Sequence, residues 1–153
     1  MRYYLGLILV VFLLSSSSPA GVGTARLSCI SQSGRTLFEA EFEEYTTLKN
    51  GKLTIDKDSM PFYSNDHCYV TFDPEVKVYT LNIESEANGN FDTVRYVRLW
   101  AVPGSFHEIS AEGSEFKHVY KFDAKLKAKD PRKGKEFETP VILISCKLTY
   151  TNP

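Results

Sequence analysis

A regular alternation of apolar and polar residues late in the chain is the feature that most limits how this sequence can fold. Between Phe116 and Lys127, apolar residues and His118 occupy the even positions, and lysines dominate the odd ones. A period of two puts successive side chains on opposite faces of a strand, whereas a helix needs apolar residues three or four positions apart. The segment is therefore predicted to be a long β-strand with one face in water.

Shorter apolar stretches of the same kind occupy most of the remaining chain. Phe38, Ala40 and Phe42 alternate with glutamates. The run Val141 to Ile144 is apolar at every position, which is typical of a central strand covered on both faces. Eight or nine strands at this spacing predict an all-β fold, either an antiparallel β-sandwich or a small β-barrel. Further strands are predicted at 53–55, 68–72, 76–83, 93–102 and 106–109, with turns at Asn50-Gly51, Asp73-Pro74 and Pro103-Gly104 and a loop at 57–66.

The first 25 residues have the composition of a secretory signal peptide. A basic start precedes an apolar run of 12 residues from Tyr3 to Leu14, followed by a tract of small residues. This run is too short to cross a bilayer, which needs about 20 residues. Cleavage is allowed after Ala20 or after Ala25, and Pro19 disfavours the first site. We therefore expect a signal peptide at 1–25, a single β domain at 26–153, no membrane span, and an extracellular or periplasmic location.

The predicted mature chain keeps an odd number of cysteines: Cys29, Cys68 and Cys146. In an oxidising compartment two of them are expected to pair, and the third is buried or bonds to another chain. First and last strands often lie side by side in nearly closed sheets, which favours a disulfide between Cys29 and Cys146. This bond would contribute on the order of 4 kcal/mol by the loop-entropy model. A bridge between Cys29 and Cys68 is the alternative.

Charge is balanced over the whole chain but uneven along it. The predicted mature chain has a formal charge of −2, which argues, together with export, against a nucleic-acid partner. Residues 121 to 135 nevertheless carry a local charge of +5. This basic hairpin would attract an anionic surface, but lysines also guard exposed sheet edges, and the guard role is the favoured interpretation. The seven cations of the basic hairpin are Lys121, Lys125, Lys127, Lys129, Arg132, Lys133 and Lys135.

The residues that usually carry catalysis or bind metals form no recognisable motif. His107-Glu108 begins like the helical signature of zinc proteases, but Ala111 stands where the second histidine is required. The three histidines are far apart in the sequence, and the cysteine spacing does not resemble a zinc site. We therefore expect no catalytic role, no metal and no cofactor.

Residues 94 to 102 provide the best candidate for a binding surface. If Val97 and Leu99 face inward, the other face carries Tyr96, Arg98 and the only tryptophan, Trp100. Aromatic and guanidinium groups in this order stack on sugars or anchor protein interfaces. The alternative is that a second layer covers the strand and buries Trp100, and we favour it slightly because lone tryptophans are usually buried.

The sequence as a whole predicts a secreted β-protein whose role is to bind a protein or a carbohydrate. A carrier of lipid or of a small apolar ligand is the alternative, with phenylalanines and tyrosines lining a cavity between sheets. A secreted hydrolase inhibitor or an enzyme ranks below both.

Overall fold

A computed structural model describes residues 23–85, 94–109, 117–131 and 137–151. The strands are β1 (Thr24–Ser31), β2 (Thr36–Glu43), β3 (Thr47–Ile55), β4 (Asp58–Tyr63), β5 (His67–Asp73), β6 (Val78–Glu84), β7 (Tyr96–Ala101), β8 (His107–Ile109), β9 (Lys117–Asp130), β10 (Phe137–Glu138) and β11 (Ile142–Thr151). They form one antiparallel sheet in the order β4-β3-β2-β1-β11-β9-β7-β6-β5, and β8 and β10 pair with β9. The sheet is curled into a half-barrel.

The all-β, antiparallel prediction is confirmed, and the layering is simpler than a sandwich. Every strand in the described ranges belongs to the same sheet, so none of them forms the second sheet that a sandwich needs. Within those ranges, no helix is long and apolar enough to cross a membrane.

One face of the curled sheet carries the core. Inward side chains from strands far apart in the sheet, including Leu27, Phe38, Phe122, Leu126 and Ile144, are almost completely buried. Each large apolar side chain gains roughly 1.5–3 kcal/mol when it leaves water. A flat single sheet would leave this face exposed to solvent. Because the sheet curls, its own apolar side chains pack against one another and are buried. The outer face is mostly polar.

A short turn joins the two ends of the sheet. The strands β4 and β5 lie at opposite ends of the strand order but are joined by a turn of only three residues, 64–66. Asp66 in this turn accepts a hydrogen bond from the guanidinium of Arg95, with Nη2 and Oδ2 3.2 Å apart. Both side chains are buried, with exposed fractions of 6% for Arg95 and 4% for Asp66. The guanidinium also lies over the ring of Phe62, 5.1 Å from its centroid.

The disulfide joins the first and last strands in the middle of the sheet. Cys29 on β1 lies opposite Cys146 on β11, and the two residues form a disulfide with a Cα–Cα distance of 4.0 Å. This is the pair that the sequence favoured. Cys68 is free and half-buried on β5. The strand β1 begins at Thr24, and Thr24 and Ala25 pair with β2 on one side and β11 on the other.

Several local predictions are wrong, each for a physical reason. Asn50-Gly51 is not a turn but lies inside β3, beside a bulge in its pairing with β2, where Gly51 packs against the side chains of Phe62 and Ala40. Glycine inside a strand commonly marks such a bulge or a close approach. Residues 57–66, predicted as a loop, contain β4, an edge strand that tolerates Pro61 because a proline on an edge removes no ladder hydrogen bond.

The interpretation of the lysines as edge guards is also wrong. The strand β9, which carries them, pairs with β11 and β10 on one side and with β7 and β8 on the other, so it is central in the sheet. The strand β11 is central as predicted, but only one of its faces is covered: Val141 and Leu143 are exposed on the outer face. Both corrections bring apolar and cationic side chains to the same outer surface.

Candidate binding surface

The outer face of β7 presents the three residues that the sequence singled out. Arg98 is exposed, and Tyr96 and Trp100 are half-buried. The Arg98 guanidinium lies 4.5 Å from the centroid of the Tyr96 ring, and its Nη2 donates to Glu84 Oε1 at 3.1 Å. The hydrogen bond from Asn82, followed by the interaction with Arg98, keeps the pKa of Glu84 below its usual value, so this carboxyl remains charged. Tyr96 and Arg98 are thus held in place before any ligand binds.

Trp100 lies at the centre of a larger exposed surface. It is flanked in register by Thr80 on β6 and Lys125 on β9, and Lys125 lies opposite Leu143 on β11. Leu143 is 61% exposed, and Tyr69 on β5, opposite Asn82, is 64% exposed. Trp100 is on the face away from the core, and none of the described strands forms a second layer over it. We call Tyr69, Arg98, Trp100, Lys125 and Leu143 the outer band.

The predicted basic hairpin is only partly described. Arg132, Lys133 and Lys135 lie outside the described residues. Lys127 Nζ is 2.6 Å from Glu138 Oε1, and this contact raises the pKa of Lys127 and lowers that of Glu138. Lys129 is also engaged in an interaction. Lys121 and Lys125 point outward from the central strand and are exposed.

The interior is lined by aromatic rings that touch one another. The rings of Phe106, Tyr120 and Phe122 stack at centroid distances of 5.1–5.3 Å, and Phe72 approaches Tyr79 and Tyr120 at 6.1 and 5.3 Å. Burial raises the pKa of Tyr79 and raises that of the nearby Cys68 thiol to about 12. These groups stay neutral at physiological pH, as side chains in an apolar core require.

The groups with catalytic chemistry make structural contacts. The hydroxyl of Ser105 donates to Val102 O at 2.7 Å and accepts from the backbone N–H of Asp123 at 3.0 Å, which fixes the turn at Pro103-Gly104. Gly104 has a positive φ of 80°, as the third residue of a type II turn requires. His118 Nδ1 is 2.8 Å from Glu108 Oε1 on the neighbouring strand.

Sequence reasoning found the β7 residues of the outer band but missed Tyr69 and Leu143. Parity along one strand was enough to place Tyr96, Arg98 and Trp100 on one face. Tyr69 and Leu143 join that surface only through the strand order, which parity does not reveal. The exposed position of Leu143 was hidden by the fully apolar run around it. No family model, curated protein or solved structure matches this chain.

Proposed function

We propose that the chain is a secreted binding module that engages a protein partner through the outer band and has no catalytic role. The observation that carries the proposal is the position of Trp100, half-buried on the face opposite the core, on the same strand as exposed Arg98 and two strands away from exposed Tyr69 and Leu143. Tryptophan, tyrosine and arginine are the residues that most often dominate binding energy at protein interfaces. A soluble surface rarely groups exposed aromatic and aliphatic side chains without a binding role.

The composition of the outer band favours a protein over a carbohydrate. Sugar rings stack on aromatic faces, but they gain little from Leu143, which is a good contact for an apolar side chain of a partner. The pair of Tyr96 and Arg98 is already ordered, so its side chains lose little conformational freedom on binding. Lys125, between Trp100 and Leu143, adds a positive charge that would suit a partner with an acidic rim around an apolar centre.

A carrier function is less well supported by the interior. Inward-facing aromatic rings contact one another and fill this part of the interior: Phe72, Phe106, Tyr120 and Phe122. A lipid would have to separate these rings. The part of the proposal that concerns secretion rests on the apolar N-terminal segment and on the disulfide between Cys29 and Cys146, which is compatible with an oxidising compartment.

Binding of the purified protein to panels of extracellular proteins and of neutral glycans tests this proposal. We expect saturable binding to a protein that falls at least tenfold in Trp100→Ala and in Leu143→Ser. The matched control is Val76→Ser, which removes an equally exposed apolar side chain from the turn between β5 and β6. Binding to glycans alone would assign the band to a carbohydrate, and binding unchanged in Trp100→Ala would refute the band as the site. A lipid that co-purifies with the protein would support the carrier.

A further inference from the structure

A second recessed surface lies on the outer face of the sheet, at the end remote from the outer band. It is a groove with a volume of about 670 Å³. It crosses the strands β3, β2, β1, β11 and β9, near the points where β1 begins and β11 ends. Its lining residues are Thr24, Ala25, Arg26, Ser28, Glu41, Phe42, Glu43, Lys49, Lys117, Lys147, Thr149 and Thr151.

Two of the four cations in the groove are matched by carboxylates. Arg26 is hydrogen-bonded to Glu41, and Lys49 Nζ lies 3.6 Å from Glu43. The hydrogen bond from Asn50, followed by that from Arg26, lowers the pKa of Glu41, so this carboxylate is charged and already engaged. Lys117 and Lys147 are different, because neither forms an ion pair with any residue in the described ranges. The groove therefore carries an uncompensated charge of about +2 from these two lysines.

The arrangement around Lys147 is unfavourable for the free protein. Lys147 lies directly opposite Lys121 on β9, and facing side chains on adjacent strands have Cβ atoms only about 5 Å apart. Like charges in this position destabilise a sheet. On its other side Lys147 faces Ser28 on β1. Hydroxyls of Ser28, Thr149 and Thr151 line the same groove, and they are donors suited to the oxygens of a tetrahedral anion.

We propose that this groove binds the sulfate groups of a linear anionic glycan. Lys147, beside Lys121, would bind one sulfate and Lys117, four residues further along the ladder, would bind another, with serine and threonine hydroxyls completing their hydrogen bonds. Outside the groove, Lys121 and Lys125 follow Lys117 on the outer face of β9 at intervals of four residues, roughly 13 Å each. The exposed Asp123 between them accepts a hydrogen bond from the Ser145 hydroxyl. A chain with repeated sulfates reaches all of these positions, whereas a single phosphate can occupy only one of them.

The shape of the surface favours a glycan chain over a membrane. A flat bilayer surface contacts the convex outside of a half-barrel along a narrow line and does not reach a recessed floor. A flexible polysaccharide chain enters the groove and follows the lysines along the strand. Lys125 is the one residue that belongs both to the outer band and to the lysines that continue the glycan site. Variants at Lys117 and Lys147 therefore test the glycan site separately from variants at Trp100 and Leu143.

The decisive experiment compares retention of the folded protein on heparin, used as a sulfated polysaccharide, with retention of a Lys117→Gln/Lys147→Gln variant. We expect the double substitution to weaken binding at least tenfold. It should also make the negative slope of log affinity against log salt shallower by about 2, because two fewer lysines release counterions from the polyanion. A Lys52→Gln/Lys57→Gln variant is the charge-matched control, because both lysines are exposed on the β3–β4 hairpin away from the groove. Trp100→Ala should leave heparin binding unchanged.

Each other outcome is informative. An equal loss in the control variant would show unspecific attraction and overturn the proposal, as would absence of retention at physiological salt. Binding to phosphatidylserine vesicles without binding to heparin would assign the lysines to a membrane instead. Competition by inorganic sulfate or phosphate as strong as by heparin would reduce the site to a single anion. Because the double substitution removes the repulsion from Lys121, the variant should unfold at no lower urea concentration than the wild type, which separates lost binding from lost folding.

Discussion

The buried pair of Arg95 and Asp66 predicts that removing one partner is worse than removing both. In Asp66→Asn, the guanidinium of Arg95 stays 94% buried but loses its carboxylate. Breaking a buried pair in this way costs about 3–5 kcal/mol. Arg95→Met leaves Asp66 buried and charged, although Asp66 Oδ2 keeps the hydrogen bond from the Tyr63 N–H at 2.8 Å. We expect a cost at the lower end of the same range.

The double variant Arg95→Met/Asp66→Asn should recover most of this loss. The Nε and Nη1 atoms of Arg95 are buried and have no hydrogen-bond partner in the described residues, and each such group carries a desolvation penalty of about 1–3 kcal/mol. Methionine removes both unmet donors and puts an apolar side chain where the guanidinium lies over the ring of Phe62. Replacing a buried pair with neutral groups is often neutral or stabilising. We therefore expect the double variant to lie within about 1 kcal/mol of the wild type.

The assay is equilibrium urea unfolding with the disulfide intact, followed by circular dichroism and by Trp100 fluorescence. The coupling energy from the double-mutant cycle should be at least about 2 kcal/mol, since the two side chains are in direct contact. The reasoning would be refuted if Asp66→Asn cost less than about 1 kcal/mol. It would fail equally if the double variant were as unstable as Asp66→Asn.

Three further predictions concern the disulfide, alkaline pH and the N-terminus. Replacing Cys29 and Cys146 with alanine opens a loop with a sequence separation of 117 residues, and the loop-entropy model gives a loss of about 5 kcal/mol in urea unfolding; an unchanged midpoint would contradict it. Burial raises the pKa of Cys68 from 9.0 to about 12, so between these pH values the folded protein keeps a proton that the unfolded chain releases. The free energy of unfolding should therefore be constant below pH 9 and fall towards pH 12, and the fall should be shallower in Cys68→Ala. A steeper fall in that variant would disprove the assignment. Cleavage after Ala25, which the sequence favours, would remove Thr24 and Ala25, although both are paired residues of β1. Intact mass and N-terminal sequencing of protein collected from the medium of expressing cells should therefore show cleavage after Ala20 instead, and a chain starting at Arg26 would count against β1 beginning at Thr24.

The strands and their faces were largely predictable because they depend on local alternation. The strand β9 and the inward positions Phe122, Ala124 and Leu126 follow directly from period-two patterning. The curl was not predictable in the same way. The local alternation around an inward phenylalanine is the same in a sandwich and in a curled sheet. The two folds differ only in which strands pack against that side chain, and local patterning does not reveal this.

The turn between β2 and β3 shows how tertiary contacts override local signals. Glu44 and Tyr45 both have positive φ values, of 49° and 68°, although neither residue type favours that region. Tyr45 stacks on Tyr150 with a centroid distance of 4.2 Å, and it lies so close to Gly23 that a Cβ atom there would clash. The turn is placed by these two distant contacts. The more obvious signal, Asn50-Gly51, was therefore misread.

The candidate surfaces were predictable only as far as single strands allow. Tyr96, Arg98 and Trp100 share one strand, so their common face followed from the sequence. The groove combines Arg26, Lys117 and Lys147 from three strands that the strand order alone brings together. Their charges cancel in the net charge of the chain, which is why composition gave no sign of them.

The position of the disulfide also determines how the protein responds to mechanical force. The start of β1 and the end of β11 lie side by side, with Thr24 opposite Thr151. A pull applied to these ends peels the ladder one pair at a time, from Thr24 towards Cys29. After five pairs the peeling reaches the covalent bond to Cys146, and the remaining strands no longer carry the load. A glycan chain bound at Lys147 and Thr149 would lie across these five pairs, so ligand binding would resist their separation under tension.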